Sequence, residues 1–185
     1  MSRQTWLVVI DMQDIFGRPG SAWFTPGYPE IEPRIERLVA HFDGRVVFTR
    51  FIAPEHPEGA WVPYYALWPF ALVAPTDPLY NLMPAFAGTG HTVVSRPTFG
   101  KWDDELAGIL GPDATMVLAG VSTDCCVIST ALAAADAGVA VRVVADACAG
   151  LSEADHQRAL DAMALYAPLI EVTCVDAVLS TVRGS

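Results

Sequence analysis

Residues 115–134, TMVLAGVSTDCCVISTALAA, carry the pattern that decides the fold. The apolar run at their start predicts a buried strand that breaks at Gly120, and the Ala-rich segment from Cys125 onward predicts a helix. Residues 122–124, Ser-Thr-Asp, are all good helix N-caps. Cys126 then lies in the first helical turn, where unpaired N–H groups and the helix dipole favour a thiolate and can bind an oxyanion. Cys126 is therefore the candidate nucleophile.

Composition limits the class of protein. The chain has 185 residues, of which 52% are apolar, and this predicts a single domain over 1–185 with a large core. The net charge is -10 and no basic block interrupts it, so we expect a small-molecule substrate rather than nucleic acid or a membrane. The 4 cysteines lack zinc spacing and two are adjacent, which is typical of reduced thiols and predicts a cytoplasmic location.

Strand and helix patterns alternate along the chain. Strands are predicted at 6–10, 46–49, 91–94, 116–119, 139–144 and 169–172, and helices at 30–42, 103–110, from 125 onward, 152–166 and 175–182. This alternation predicts an α/β fold with three α-β-α layers and a six-stranded, mainly parallel sheet. We expect the strand order 3-2-1-4-5-6.

That strand order predicts where a ligand binds. In such sheets the binding crevice lies beyond the carboxyl ends of the strands, where the order reverses. Asp11 follows the first strand and Cys126 follows the fourth, so the two side chains are expected to meet there. The turn after the first strand, DMQDIF, lacks the glycines of a dinucleotide site.

The segment 51–90 is rich in Pro and aromatic residues and has no regular period. An excursion of this length inside a domain is usually functional, and aromatic side chains suit a lid or pocket wall. Trp61 and Trp68 are therefore candidate substrate-binding residues, although packing alone also explains them.

Three motifs together resemble the isochorismatase-like cysteine hydrolases. They are DMQDIF at 11–16, a basic residue after the third strand, and GVSTDCCV at 120–127. This family includes nicotinamidases, N-carbamoylsarcosine amidase, ureidoacrylate-type amidohydrolases and isochorismatase. The resemblance extends from about Trp6 to Asp146.

The resemblance implies a role for several residues. Cys126 matches the family's nucleophile and Asp11 its general acid/base. The Val121–Ser122 bond matches a non-proline cis peptide, and the amides of Ser122 and Cys126 match the oxyanion hole. Phe16 matches a residue that often stacks on substrate. The family also implies a homodimer or homotetramer.

One position departs from the family pattern. The third catalytic residue is normally a lysine after the third strand, and the frame VVSRPTFGKW puts Arg96 there. Arginine keeps the charge but cannot release its proton, and its planar head differs in reach. Lys101 is an alternative source of the charge if the loop turns inward.

Metal binding is not predicted. The nicotinamidase branch has an Asp-x-His pair after the second strand, whereas this chain reads RFIAPEH at 50–56 and His56 is expected on a surface loop. We therefore predict no metal and no cofactor.

Three functions follow from this reading. The first is hydrolysis of a small amide or ureido C–N bond through a thioester on Cys126, with Asp11 as acid/base. The second is a catalytically impaired member that binds a small molecule or a protein, because Arg96 replaces lysine. The third is a thiol redox role for Cys125 and Cys126. Isochorismatase itself cleaves an enol ether, so the family leaves the bond type open.

Overall fold

The computed structural model describes residues 4–42 and 44–181, in which strands and helices alternate. The strands are β1 (Thr5–Ile10), β2 (Val46–Phe51), β3 (Thr92–Arg96), β4 (Thr115–Val121), β5 (Ala140–Ala149) and β6 (Ile170–Thr173). The α-helices are α1 (Asp14–Gly17), α2 (Tyr28–Phe42), α3 (Trp61–Leu67), α4 (Asp104–Leu110), α5 (Ile128–Asp136), α6 (Glu153–Ala164) and α7 (Val175–Thr181). Val182, which the sequence analysis includes in the last helix, lies outside the described residues.

The six strands form one parallel sheet in the order β3-β2-β1-β4-β5-β6. This confirms the predicted architecture and strand order. β1 lies between β2 and β4, and Val9 faces Phe48 on one side and Ala119 on the other. The carboxyl ends of β1 and β4 therefore lie side by side, at the point where the order reverses.

Apolar side chains fill both faces of the sheet, as expected for a parallel sheet with helices on either side. Leu7 and Val9 of β1 pack into one core with α2 and α7, whereas Val8 and Ile10 pack into a second core with α4, α5 and α6. The alternation follows from the two-residue period of a strand. No helix of residues 4–42 and 44–181 has the length and apolar character needed to cross a bilayer.

Several segments differ from their predicted structure, and β5 continues to Ala149 although the prediction ends it at residue 144. The 51–90 excursion contains α3 and two single 3₁₀ turns, Pro69–Ala71 and Pro78–Tyr80, each started by a proline. The segment after β4 begins as a π-helical turn, Thr123–Val127, before α5 continues. π-turns of this kind occur often at functional sites.

Gln13 fixes the excursion to the end of β1. Its buried side-chain amide donates to the carbonyls of Phe51 and Tyr80 at 2.9 and 2.8 Å and accepts from the Phe51 amide at 2.7 Å. All three bonds bridge distant parts of the chain. Gln13 therefore positions the aromatic segment against the crevice.

Candidate active site

The structure brings Asp11 and Cys126 together at the ends of β1 and β4. Asp11 is fully buried and Cys126 is 3% exposed. The Asp11 carboxylate lies near the Cys126 thiol and raises its pKa. The meeting of these two residues therefore follows from the strand order.

Lys101 is the basic residue of this cluster. Its ammonium lies 3.0 Å from Asp11 Oδ2, and both side chains have 0% exposure. The ammonium also donates to the Thr98 carbonyl at 2.6 Å and lies 5.4 Å from the centre of the Phe51 ring. The loop after β3 does turn inward, which was the alternative in the sequence analysis.

The placement of Arg96 in the catalytic set was wrong. Its guanidinium forms ion pairs with Asp103 and Glu105, at and just after the start of α4, and donates to the Ser95 carbonyl. Asp103 also caps α4 by accepting from the Leu106 amide. Arg96 therefore ties β3 to α4. Since Lys101 supplies the positive charge beside Asp11, Arg96 is no longer a reason to expect a catalytically impaired protein.

Two threonines that the sequence analysis missed hold the cluster. Thr49 Oγ1, at the end of β2, donates to Asp11 Oδ1 at 2.7 Å and accepts from the Asp11 amide at 3.2 Å. Thr130 Oγ1 donates to the Cys126 carbonyl at 2.7 Å and accepts from the Lys101 amide at 3.0 Å. A polar residue at the end of a buried strand was the only sequence signal for Thr49.

The surroundings of Cys126 favour the neutral thiol over the thiolate. Burial raises the pKa of Cys126 well above its usual value, and the Asp11 charge raises it further, whereas Lys101 lowers it. Burial also raises the pKa of Cys125. The expectation that the helix start makes Cys126 a thiolate was wrong, because burial and Asp11 outweigh the positive charges. Protonated thiols react slowly with oxidants, which argues against a redox role.

The backbone around Ser122 links the end of β4 to the π-helical turn. The Val121–Ser122 peptide bond is cis. The Ser122 carbonyl accepts from the amides of Cys125 and Val127, at 3.2 and 3.0 Å. These bonds come from the residues on either side of Cys126. Together with the Ser122 amide, the Cys126 amide is a candidate oxyanion donor.

A cavity of about 150 Å³ lies next to the sulfur of Cys126. The three predicted substrate-binding residues, Phe16, Trp61 and Trp68, all line it. Six further lining residues were not predicted from the sequence, and these are Ala22, Trp23, Phe51, Tyr64, Phe99 and Leu151. Trp23 stacks on Phe16 at 6.1 Å with an interplanar angle of 7°. A larger cavity, beside Asp14 and Arg18, contains neither Asp11 nor Cys126.

A metal site requires several ligating side chains in one group. Within 4–42 and 44–181, no group of three or more His, Cys, Asp or Glu side chains could hold a metal ion. Asp11 is the only acidic member of the cluster formed with Cys126 and Lys101, and its carboxylate is already paired with an ammonium.

Comparison with known proteins identifies the domain. The family model described as "Isochorismatase domain" matches residues 5–176. A similar curated protein is isochorismatase domain-containing protein 2 of Xenopus laevis, which is 29% identical over 164 residues, 87% of this chain and 68% of that protein.

Solved structures share the fold over nearly the whole chain. A cysteine hydrolase from Pseudomonas syringae superposes with a TM-score of 0.85 at 22% identity, covering 96% of this chain and 91% of that one. N-carbamoylsarcosine amidase from Thermoplasma acidophilum gives 0.75 at 21% identity, covering 94% and 97%. A pyrazinamidase from Pyrococcus horikoshii, solved with zinc, gives 0.71 at 25% identity, covering 92% and 99%. Since the domain model matches almost from end to end, this protein belongs to the isochorismatase family of hydrolases.

Proposed function

We propose that the protein hydrolyses a small C–N bond, of the amide or ureido type, through a thioester on Cys126. Two of the similar solved proteins carry the names of amidases, which supports this bond type. Asp11 acts as the general acid/base and Lys101 as the catalytic cation.

One observation carries the proposal. The Asp11–Lys101 ion pair is completely buried and meets the Cys126 thiol beside an open cavity. A buried ion pair is costly to desolvate, so a purely structural reason for it is weak. A carboxylate, an ammonium and a thiol in contact form the set required for nucleophilic catalysis.

The first half-reaction forms the thioester. Asp11 takes the thiol proton, and the sulfur attacks the substrate carbonyl carbon. The carbonyl oxygen becomes an oxyanion that the Ser122 and Cys126 amides bind, a contribution of about 2.7–4 kcal/mol per donor. Asp11 then gives its proton to the nitrogen, the C–N bond breaks, and ammonia or an amine leaves.

The second half-reaction releases the acid. Asp11 takes a proton from water, and the resulting hydroxide attacks the thioester carbon. The C–S bond breaks, the sulfur regains its proton and a carboxylic acid leaves. Lys101 stays protonated throughout and offsets the charge that moves between Asp11 and the sulfur, because Coulomb interactions are strong in a dry site.

Ammonia release from a panel of small amides and ureides tests this function. We expect Cys126→Ser and Asp11→Asn to lose turnover by at least about 1,000-fold. Cys174→Ser changes an exposed cysteine and is the matched control. Intact mass spectrometry of the wild type during turnover should detect the acyl adduct. Equal turnover in wild type and Cys126→Ser would contradict the nucleophile assignment.

A further inference from the structure

The cavity beside Cys126 is lined by uncharged residues. Among the described residues that line it, none is Asp, Glu, Lys, Arg or His. Lys101, the cation paired with the catalytic carboxylate, is bound to Asp11 and to the Thr98 carbonyl. Arg96, the other basic residue of that loop region, is bound to Asp103 and Glu105. No lining side chain is therefore available to pair with a charge on the ligand.

The walls are large aromatic surfaces. Trp23 contacts the rings of Phe16, Phe51, Tyr64 and Trp68, with centroids 5.6 to 6.1 Å apart. Rings packed against each other in this way limit the cavity to its volume of about 150 Å³. A cavity of this volume holds a molecule the size of benzene.

We propose that this site takes an uncharged amide whose non-reacting part is apolar and about the size of a benzene ring, and that it rejects amides bearing a carboxylate. The proposal deepens the proposed function, since it names the substrate class for the Cys126 site. A carboxylate bound in this cavity would lose its hydration without gaining a partner. This desolvation costs far more free energy than attraction to distant charges contributes.

Tyr64 is a lining residue that carries a hydroxyl group. Burial raises its pKa to about 12, so the hydroxyl stays protonated and neutral at physiological pH. Tyr64 lines the same cavity as Cys125 and Cys126. A neutral O–H group there can donate to a carbonyl or accept from an amide without requiring a charged ligand.

Aromatic walls also attract cations, so a cationic ligand is an alternative occupant of this cavity. Two features of the cavity disfavour it. Lys101 already lies 5.4 Å from the Phe51 ring, which is part of the same cavity. No described residue of the lining is a carboxylate, so a bound cation would have no anionic partner in the wall.

The chemistry of the product fits this assignment. Hydrolysis converts the neutral amide and water into ammonia and a carboxylic acid, which ionises to a carboxylate in water. The apolar walls do not pair with that charge, so the ionised product binds less well than the substrate. The uncharged lining of the cavity therefore favours both the binding of the neutral substrate and the release of the ionised product.

Binding measurements test the proposal without requiring turnover. Three of the 5 tryptophans, Trp23, Trp61 and Trp68, line the cavity, so a bound ligand changes the intrinsic fluorescence. The Cys126→Ala variant is titrated with benzamide, 4-carbamoylbenzoate and 4-(trimethylammonio)benzamide. We expect benzamide to bind at least about 100-fold more tightly than the carboxylate probe.

A charge placed at the cavity provides a second test. Leu151 lines the cavity and is 50% exposed, so Leu151→Arg can add a cation there without burying it. We expect it to improve the binding of 4-carbamoylbenzoate relative to benzamide by at least about 10-fold. Leu165→Arg places the same charge on a residue that is 85% exposed and outside this cavity, and should leave the ratio unchanged.

The outcomes separate the two proposals. Benzamide binding without ammonia release by the wild type supports the ligand class and counts against the proposed hydrolysis. Carboxylate binding within about 3-fold of benzamide overturns the ligand class, as does tighter binding of the trimethylammonium probe. The proposed ligand class is also overturned if benzamide neither changes the fluorescence nor competes with other ligands.

Discussion

Lys101 lies on a loop without regular structure, yet its ammonium is completely buried between Asp11 and the Thr98 carbonyl. Asp11 Oδ2 has this ion pair but no hydrogen bond of regular geometry. The buried negative charge of the Asp11 carboxylate is therefore balanced by Lys101. The Arg96 pairs differ, because their carboxylates are 39% and 60% exposed and water can replace the partner.

Lys101→Met is expected to lower the free energy of unfolding by about 3–5 kcal/mol, because it leaves a buried carboxylate unpaired. It should also slow the alkylation of Cys126 by iodoacetamide at a given alkaline pH, since Lys101 lowers the pKa of that thiol. Urea unfolding and mass spectrometry of the alkylated protein measure both effects.

Arg96→Met is the matched control for that variant, because it removes a cation from the same part of the chain. Its exposed pairs predict a loss below about 1 kcal/mol. Cys126 alkylation should keep its wild-type rate. Equal losses in the two variants would contradict the assignment of Lys101 as the cation of the site.

Thr49→Val is expected to destabilise the protein by about 1–3 kcal/mol, because it removes the hydroxyl that bonds both the Asp11 carboxylate and the Asp11 amide. The isosteric replacement changes little in packing. Thr49→Ser keeps the hydroxyl and should lose less. Chemical denaturation of the three proteins measures the difference, and a larger loss in Thr49→Ser would contradict this role.

At the scale of the elements, the junction between β4 and the π-turn brings the cysteine to the edge of the sheet. Gly120 lies at the end of β4 with φ of +114°, paired with Ile10 of β1. A Cβ at this position would lie 2.2 Å from the Ile10 carbonyl oxygen. The absence of a side chain therefore permits the close approach of β1 and β4 that brings Asp11 to Cys126.

Gly120→Ala should destabilise the protein by roughly 3 kcal/mol or more, because both the backbone angle and the contact with β1 are unfavourable. Gly108→Ala is the matched control. Gly108 lies in α4 with open space around its Cβ position, so alanine should stabilise by up to about 1 kcal/mol. Thermal unfolding measures both, and a harmless Gly120→Ala would contradict this packing.

For the whole molecule, burial of thiols in the sheet links stability to alkaline pH. Burial raises the pKa of Cys148 from 9.0 to about 12, and it raises that of Cys126 in the same direction. The folded state therefore holds these protons more tightly than the unfolded chain. Their contribution to stability is complete below about pH 9 and is lost as the pH rises towards 12.

We expect the free energy of unfolding to fall by about 2 kcal/mol between about pH 8 and pH 10.5 from Cys148 alone. Cys148→Ala should show a smaller fall over this range, whereas Cys174→Ala, at an exposed position, should keep it. Urea titrations at the two pH values measure the change. An equal fall in both variants would remove Cys148 as a cause.

The homodimer or homotetramer and the cytoplasmic location stay predictions. Large apolar side chains are exposed around the end of α6, at Leu165, Tyr166 and Leu169, and offer a surface on which copies of the chain can associate. Mass photometry at nanomolar and micromolar concentrations measures the oligomeric state.

The sequence by itself determined the sheet and the meeting of Asp11 with Cys126. Apolar runs separated by helical patterns specify parallel strands, and the order of those strands places the ends of β1 and β4 together. These are consequences of periodicity and connectivity, which local residues encode. The aromatic segment could be recognised from its composition, and Trp61 and Trp68 do line the cavity, as does Phe16, which the family resemblance indicated.

Only the tertiary structure decided which cation joins the pair and whether the thiol is ionised. The loop after β3 has no period, and its path depends on contacts with Thr130 and Asp11 that are distant in sequence. Arg96 is drawn away by carboxylates of α4, which a strand pattern does not reveal. The protonation of Cys126 depends on desolvation, and desolvation is a property of the assembled core rather than of neighbouring residues.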